Sequence, residues 1–249
     1  MCRSLARLGA LGVWVALGGA GNAVAGVGAG SLEATLTATS DYVFRGISQS
    51  DGEPALQAGV EFEHPTGVFA GVWASTVEFG GELYEDDPRD VELDLYAGYG
   101  VALAGDWSVI ASVVHYSYPR ADTPFDYDYS EAGVALRYGR AAVSATYADN
   151  ALGTQGSGFI WEATGQVRLP RGFDLGGGVG LYALSAPDDE YRFWHLGLSR
   201  PVRRVTLHLG YFDSDGAARR IWRRTAGSRV VLGASVSLWR LNPLGGGRD

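Results

Sequence analysis

Ser40-Asp41-Tyr42-Val43-Phe44-Arg45-Gly46-Ile47-Ser48-Gln49 is the stretch that decides how this chain is read. Taken at period two with the residues before it, Leu36, Ala38, Ser40, Tyr42 and Phe44 fall on one side. Glu33, Thr35, Thr37, Thr39, Asp41 and Arg45 fall on the other. A half-buried strand of a soluble sandwich alternates too. Here the polar side carries both signs of charge, and the apolar side ends in two neighbouring aromatics. That pattern predicts a membrane strand with lipid outside, a wet lumen inside and an aromatic girdle at the interface. Asp41 and Arg45 then face the lumen. Four residues at ~3.3 Å each put about 13 Å between them, so each needs a partner on another strand.

Working outward, no stretch beyond Ser31 has helical periodicity. Segments of about ten residues with period-two alternation recur instead, the length a tilted membrane strand needs. They are Ser31–Arg45, Ala55–His64, Val68–Phe79, Val91–Leu103, Trp107–Tyr118, Tyr127–Tyr138, Ala141–Ala148, Phe159–Leu169, Phe173–Leu184, Tyr191–Arg200, Val205–Phe212 and Arg229–Trp239. Tight turns follow every second segment: Pro65–Gly67, Ala104–Asp106, Gly139–Arg140, Pro170–Gly172 and Pro201–Arg204. Longer links alternate with them: Gly46–Pro54, Gly80–Asp90, Pro119–Asp126, Asp149–Gly158, Ser185–Glu190 and Asp213–Ser228. Short turns on one rim and long loops on the other are a property of outer-membrane barrels, so the expected fold is all-β, a single transmembrane antiparallel β-barrel of about 12 strands with short periplasmic turns and longer external loops.

Facing follows from the alternation. Val91, Leu93, Leu95, Ala97, Tyr99, Val101 and Leu103 point to lipid, with Glu92, Asp94, Tyr96 and Gly98 inside. Phe159, Trp161, Ala163, Val167 and Leu169 point out, opposite Glu162, Thr164, Gln166 and Arg168. Phe173, Leu175, Val179 and Leu181 point out, opposite Asp174 and a Gly176-Gly178-Gly180 row. Val68–Phe79 and Trp107–Tyr118 carry apolar residues on both faces and take no assignment. The expected pore-lining set is Asp41, Arg45, Glu61, Glu63, Glu92, Asp94, Glu131, Arg137, Glu162, Arg168 and Asp174. Its excess of carboxylates predicts cation preference, because a low-dielectric wall concentrates the field of unpaired charge.

Composition agrees. Glycine is abundant at 37 of 249 residues, and there is no lysine. Arg3 and Arg7, an apolar Leu8–Ala20 and a small-residue Ala23-Val24-Ala25 site read as a secretory signal peptide over residues 1–25, with the barrel domain in 26–249, its strands within 31–239 and a polar tail at 240–249. The single cysteine, Cys2, leaves with the signal, so the mature chain has no thiol chemistry. Removing Arg3 and Arg7 leaves 18 basic residues against 28 acidic ones, which speaks against nucleic acid as a partner.

The opening Ser40–Gln57 motif resembles the TorF-like porin family of Gram-negative outer membranes. So do Gly71-Val72-Trp73-Ala74-Ser75 with an acidic loop after it, Glu92–Tyr99, and the Tyr-rich hairpin around Tyr116–Tyr129. The resemblance implies an outer-membrane barrel of channel function with no catalytic residues and no cofactor. The leading expectation is therefore passive diffusion of small polar solutes or ions through a narrow lumen. Twelve strands fall between the eight that side chains can fill and the sixteen that leave an open channel, so a closed structural or interaction barrel presenting charged loops to lipopolysaccharide is the alternative.

Three further features bear on chemistry. His115-Tyr116-Ser117 is the one place where a histidine and a serine lie close, but a lipid-acting hydrolase needs a third, orienting group that the sequence does not place. No two histidines have ligand spacing, so no metal is expected. Arg219, Arg220, Arg223 and Arg224 surround Trp222 in the last long link; if that link is external, guanidinium pairing to lipopolysaccharide phosphates is a natural use, and a solubilising run is the plain alternative.

Overall fold

The computed structural model describes residues 30–79, 90–119 and 127–241. The signal peptide and most of the acidic Gly80–Asp90 link lie outside the described residues, as do residues 120–126 and 242–249.

The chain begins with β1 (Ser31–Thr39), followed by a miniature hairpin of β2 (Val43–Phe44) and β3 (Ile47–Ser48). Then come β4 (Ala55–Glu63), β5 (Val68–Thr76), β6 (Val91–Ala102), β7 (Trp107–Ser117), β8 (Tyr129–Tyr138), β9 (Ala141–Ala148) and β10 (Gly158–Arg168). The last are β11 (Asp174–Ser185), β12 (Asp188–Val202), β13 (Val205–Ser214), the short helix α1 (Gly216–Ile221) and β14 (Arg229–Leu241). Every strand except β2 and β3 joins one closed antiparallel barrel, in which each pairs with its chain neighbour and β1 pairs with both β4 and β14. Closure removes the unpaired edges that hydrocarbon does not tolerate.

The outer wall is apolar and exposed, with Leu95, Val113, Val179, Leu196 and Val230 among the residues that look outward. Aromatic side chains gather at both rims. Trp107 packs on Tyr138 at 4.9 Å between ring centres beside the short turns, and Tyr147 packs on Phe159 at 5.1 Å beside the long links. Such a belt is stable only against lipid, which places the barrel in the outer membrane.

The inward and outward sets of β6, β10 and β11 lie as their alternation predicts. The two strands without an assignment now have one. In β5, Phe69, Trp73 and Ser75 point in; in β7, Ser108, Ile110, Val114 and Tyr116 do. Trp73, Val114 and Tyr116 meet an apolar body inside the barrel, while Phe69 and Ile110, nearer the short turns, pack on each other and on Tyr96.

That body is where the opening stretch departs from expectation. Ser31–Arg45 is not one strand. The wall ends at Ser40, whose N–H still donates to the Leu232 carbonyl at 2.8 Å, and the chain then turns into the barrel. Thr35, Thr37 and Thr39 face inward and Leu36 outward as expected, but Tyr42 and Phe44 are buried in the lumen rather than set in a lipid girdle. The reason is the Arg45-Gly46 pair. Both residues have positive φ, 48° and 78°, which makes the two-residue turn that right-twisted hairpins favour. A hairpin leaving the wall keeps the period-two alternation of a strand.

Two smaller corrections concern lengths. Ser185–Glu190 is not a loop: β11 and β12 continue through it as a tight hairpin around Ala186-Pro187. The polar tail begins later than residue 240, because Arg240 and Leu241 extend β14, and Arg240 pairs with Glu33 across the closing seam.

Candidate functional site

The inward hairpin fills the external half of the lumen. Phe44 reaches Tyr116 at 6.3 Å and Tyr42 meets Trp73 edge-on at 5.4 Å. Ile47 joins a cluster of Tyr116, Tyr129, Tyr182, Tyr191, Phe193, Ala218 and Trp222, all buried. Gly180 on β11 leaves the space that the Phe193 ring occupies; an added Cβ would lie 2.1 Å from it. Gly46 is required on two counts, its positive φ and a Cβ position only 2.8 Å from the Asp213 carbonyl oxygen.

Polar contacts fix the hairpin to the wall. Arg45 donates from Nη1 to Glu131 Oε1 at 2.6 Å and from Nη2 to Oε2 at 2.9 Å, with both side chains almost wholly buried. Its guanidinium also lies 4.5 Å from the Phe44 ring centre and 5.3 Å from that of Tyr182. Tyr42 and Tyr118 each donate to one oxygen of Glu92 at 2.8 Å. Asp41 accepts from the hydroxyls of Ser48 at 2.6 Å and Ser50 at 3.1 Å, and meets Arg229 Nη1 at 3.4 Å. Ser214 Oγ donates to the Gly46 carbonyl at 2.9 Å, and Ser48 N–H to the Thr225 carbonyl at 2.8 Å.

Asp41 and Arg45 are therefore not pore-lining residues of a wall strand. They belong to the hairpin, and their partners, Arg229 and Glu131, are on other strands. Glu92, Asp94, Glu131 and Glu162 converge on this level from β6, β8 and β10. Asp94 lies within the field of Glu92 and Glu131, and Glu162 within that of Arg45 and Glu131. Asp94 Oδ1 is buried with no hydrogen-bond partner among the described residues.

Below this level the inner wall is small and accessible. Gly59, Gly71, Ser112, Gly133, Ser144, Thr164 and Gly178 line it, and none of them is buried, whereas the inner residues one or two pairs towards the exterior are. These residues leave a vestibule in the periplasmic half beside β4 and β8–β11, whereas Phe69, Gly100, Ser108 and Ile110 on one side of it and Ser199, His208 and Ser235 on the other are buried. Glu61 accepts from the Tyr96 hydroxyl at 2.9 Å and Glu63 from Ser31 at 3.2 Å. Asp174 faces Arg168 at 3.4 Å and Arg140 at 3.5 Å, and Arg137 shares the inner face of β8 with Glu131. The expected pore-lining set leaves out Arg140, which sits in a turn, Arg229, which opens a strand, and Tyr96, which the alternation places inside but which carries no charge.

The last link closes over the mouth. Asp215 caps α1 by accepting from Ala217 N–H at 2.9 Å and Ala218 N–H at 3.2 Å, and Trp222 is buried against Tyr191. Of the four arginines considered for lipopolysaccharide, Arg219 pairs with Asp213 at 2.8 Å, Arg220 with Asp189 at 3.2 Å and Arg224 with Asp51 at 2.6 Å; Arg223 is exposed. On the outer wall His115 Nδ1 meets Ser130 Oγ at 3.1 Å rather than Ser117. Among the described residues no group of three or more His, Cys, Asp or Glu is placed to hold a metal ion.

A closed barrel of twelve antiparallel strands, apolar outside and charged within, defines an outer-membrane β-barrel with a porin-like fold. The profile of a family described as "Bacterial protein of unknown function (Gcw_chp)" matches residues 24–236, and the chain belongs to that family. Among solved structures it is similar to the KdgM porin, at a TM-score of 0.54 and 7% identity over 84% of this chain and 99% of that one. The KdgM porin in complex with disordered oligogalacturonate gives 0.52 and 7%, over 84% and 99%. The NanC porin gives 0.52 and 12%, over 83% and 98%. Identities this low establish likeness of fold. No curated protein matches the sequence.

Proposed function

We propose that the protein is a narrow channel for passive diffusion of small polar solutes and ions across the outer membrane, preferring cations, with its conductance set by the inward hairpin. The observation that carries this reading is the accessible, small-residue inner wall of β4 and β8–β11 below the hairpin, at Gly59, Gly133, Ser144, Thr164 and Gly178, where the inner residues beside the hairpin are buried. A barrel built only as a scaffold gains nothing from a small-residue, solvated interior. The porin folds of KdgM and NanC and the resemblance to TorF-like porins support the same class. Cation preference is supported by Glu92, Asp94, Glu131 and Glu162 gathered around Arg45 at the level of the hairpin, with Asp94 Oδ1 left for water or a passing cation.

The competing reading is a closed barrel that presents its loops to lipopolysaccharide. It is favoured by the continuous aromatic packing between hairpin, wall and α1. Against the lipopolysaccharide contact, three of the four arginines already have carboxylate partners in the chain. Planar-bilayer recording of the refolded protein separates the two: discrete conductance steps with a cation-sided reversal potential support the channel, and an electrically silent, correctly folded barrel supports the scaffold.

A further inference from the structure

We infer that the periplasmic vestibule recognises zwitterionic solutes of about dipeptide length by holding them across two oppositely charged walls; this deepens the channel reading and rests on it. The charges of the vestibule are segregated. Glu33, Glu61 and Glu63 stand together on β1 and β4, where Glu33 and Glu61 are direct cross-strand partners, and one arginine, Arg240, offsets them. Arg137, Arg140 and Arg168 stand on β8, the turn between β8 and β9, and β10, with Asp174 facing Arg140 and Arg168. In the strand order β4 lies six places from β10, and β1 lies six places from β9, so the two groups are diametrically opposed.

Both groups sit at the same end. Each residue lies within a few positions of a short turn: His64–Gly67 for the acidic wall, Gly139–Arg140 and Pro170–Gly172 for the basic one. On the strands the inner faces between them are uncharged; Asp106 stands in the turn on one arc, and Arg203 and Arg204 in the turn on the other. Phe69, Tyr96, Ser108 and Ile110 line one, and Ser199 and Thr206 line the other, with His208 bonded to Ser235 at 2.9 Å. Segregated opposite charges separated by uncharged strand faces produce a field across the pore rather than along it. A field of that direction acts on a molecule with two opposite charges and gives no net pull to a neutral one.

The dimensions select the length. A twelve-stranded wall with ~4.8 Å strand spacing and ~40° tilt is roughly 24 Å across. Inward-reaching Arg and Glu side chains shorten the free gap to on the order of 10 Å. The end charges of an extended dipeptide, two residues at ~3.3 Å each, lie about 7 Å apart. A single charge can satisfy only one wall and faces repulsion from the other.

The test is uptake into proteoliposomes of four probes of similar size: glycylglycine, neutral N-acetylglycinamide, anionic N-acetylglycine and cationic glycylglycinamide. The wild type should admit glycylglycine at least threefold faster than the neutral probe. Glu63→Gln, on the acidic wall, and Arg168→Gln, on the basic one, should each lower that ratio. The first should favour N-acetylglycine over glycylglycinamide and the second the reverse, a sign difference that a loss of packing would not give. Heat-dependent gel mobility checks that each variant is folded, and the wild-type ratio stands without any variant. A wild-type ratio near one with the neutral probe entering overturns the zwitterion site and leaves the channel. A ratio that responds to only one wall overturns it too. Failure of all four probes to enter overturns the channel, and the site with it.

Discussion

Arg45 and Glu131 form a two-pronged ion pair, 2.6 and 2.9 Å, between the tip of an inward hairpin and the inner face of β8. Among the described residues it is the charged contact that holds the hairpin tip to β8. Removing one partner of such a buried pair leaves an uncompensated charge and costs about 3–5 kcal/mol. Arg45→Ala is therefore expected to lower the temperature at which the barrel loses its compact gel mobility. It should also raise conductance and strengthen cation preference, since the guanidinium beside Glu131 and Glu162 is gone. Arg45→Lys should recover little, because an ammonium cannot reproduce the fork.

Gly46 tests the hairpin without touching a charge. Alanine there must adopt a positive φ and place its Cβ against the Asp213 carbonyl oxygen, strain on the order of 1–3 kcal/mol. The expected outcome for Gly46→Ala is a barrel that still closes but conducts with larger and noisier steps, read in single-channel records. Records identical to wild type would place the turn outside the conduction path.

Asp94 should behave in the opposite sense. Its Oδ1 is buried without a partner among the described residues, beside Glu92 and Glu131. Asp94→Asn removes like-charge repulsion and retains a polar side chain, so thermal stability should rise while cation preference falls in reversal-potential measurements. A fall in stability would show that the carboxylate has a structural use.

The wall of this barrel was legible in the sequence because lipid and lumen impose period two on every strand. Val91–Leu103 and Phe159–Leu169 were oriented residue by residue on that basis, and the closing pair of first and last strands followed from an even strand number. The hairpin was not legible, because Tyr42 and Phe44 keep the alternation of a wall strand after the chain has left the wall. Two signals pointed to it: Arg45-Gly46, suited to a turn with positive φ, and the apolar inner faces of β5 and β7, which need something apolar to pack against. The hydrogen bonds of Glu92 with Tyr42 and Tyr118 join residues far apart in sequence and leave no local pattern.

The arginines of the last link give a separate prediction. Arg219, Arg220 and Arg224 pair with Asp213, Asp189 and Asp51 at the surface, where single ion pairs contribute little. Replacing all three with alanine should leave the barrel's thermal transition nearly unchanged and speed protease cleavage within 213–228 on intact cells. Unchanged cleavage would mean that Trp222 and the Asp215 cap alone hold this link down.

The most direct measurement is single-channel conductance of the mature barrel beside a variant in which Asp41–Ser50 is replaced by a short Gly-Ser link. A channel narrowed by its hairpin predicts small cation-preferring steps for the first and steps at least severalfold larger for the second. Two folded barrels that are both silent, or that conduct alike, would contradict it.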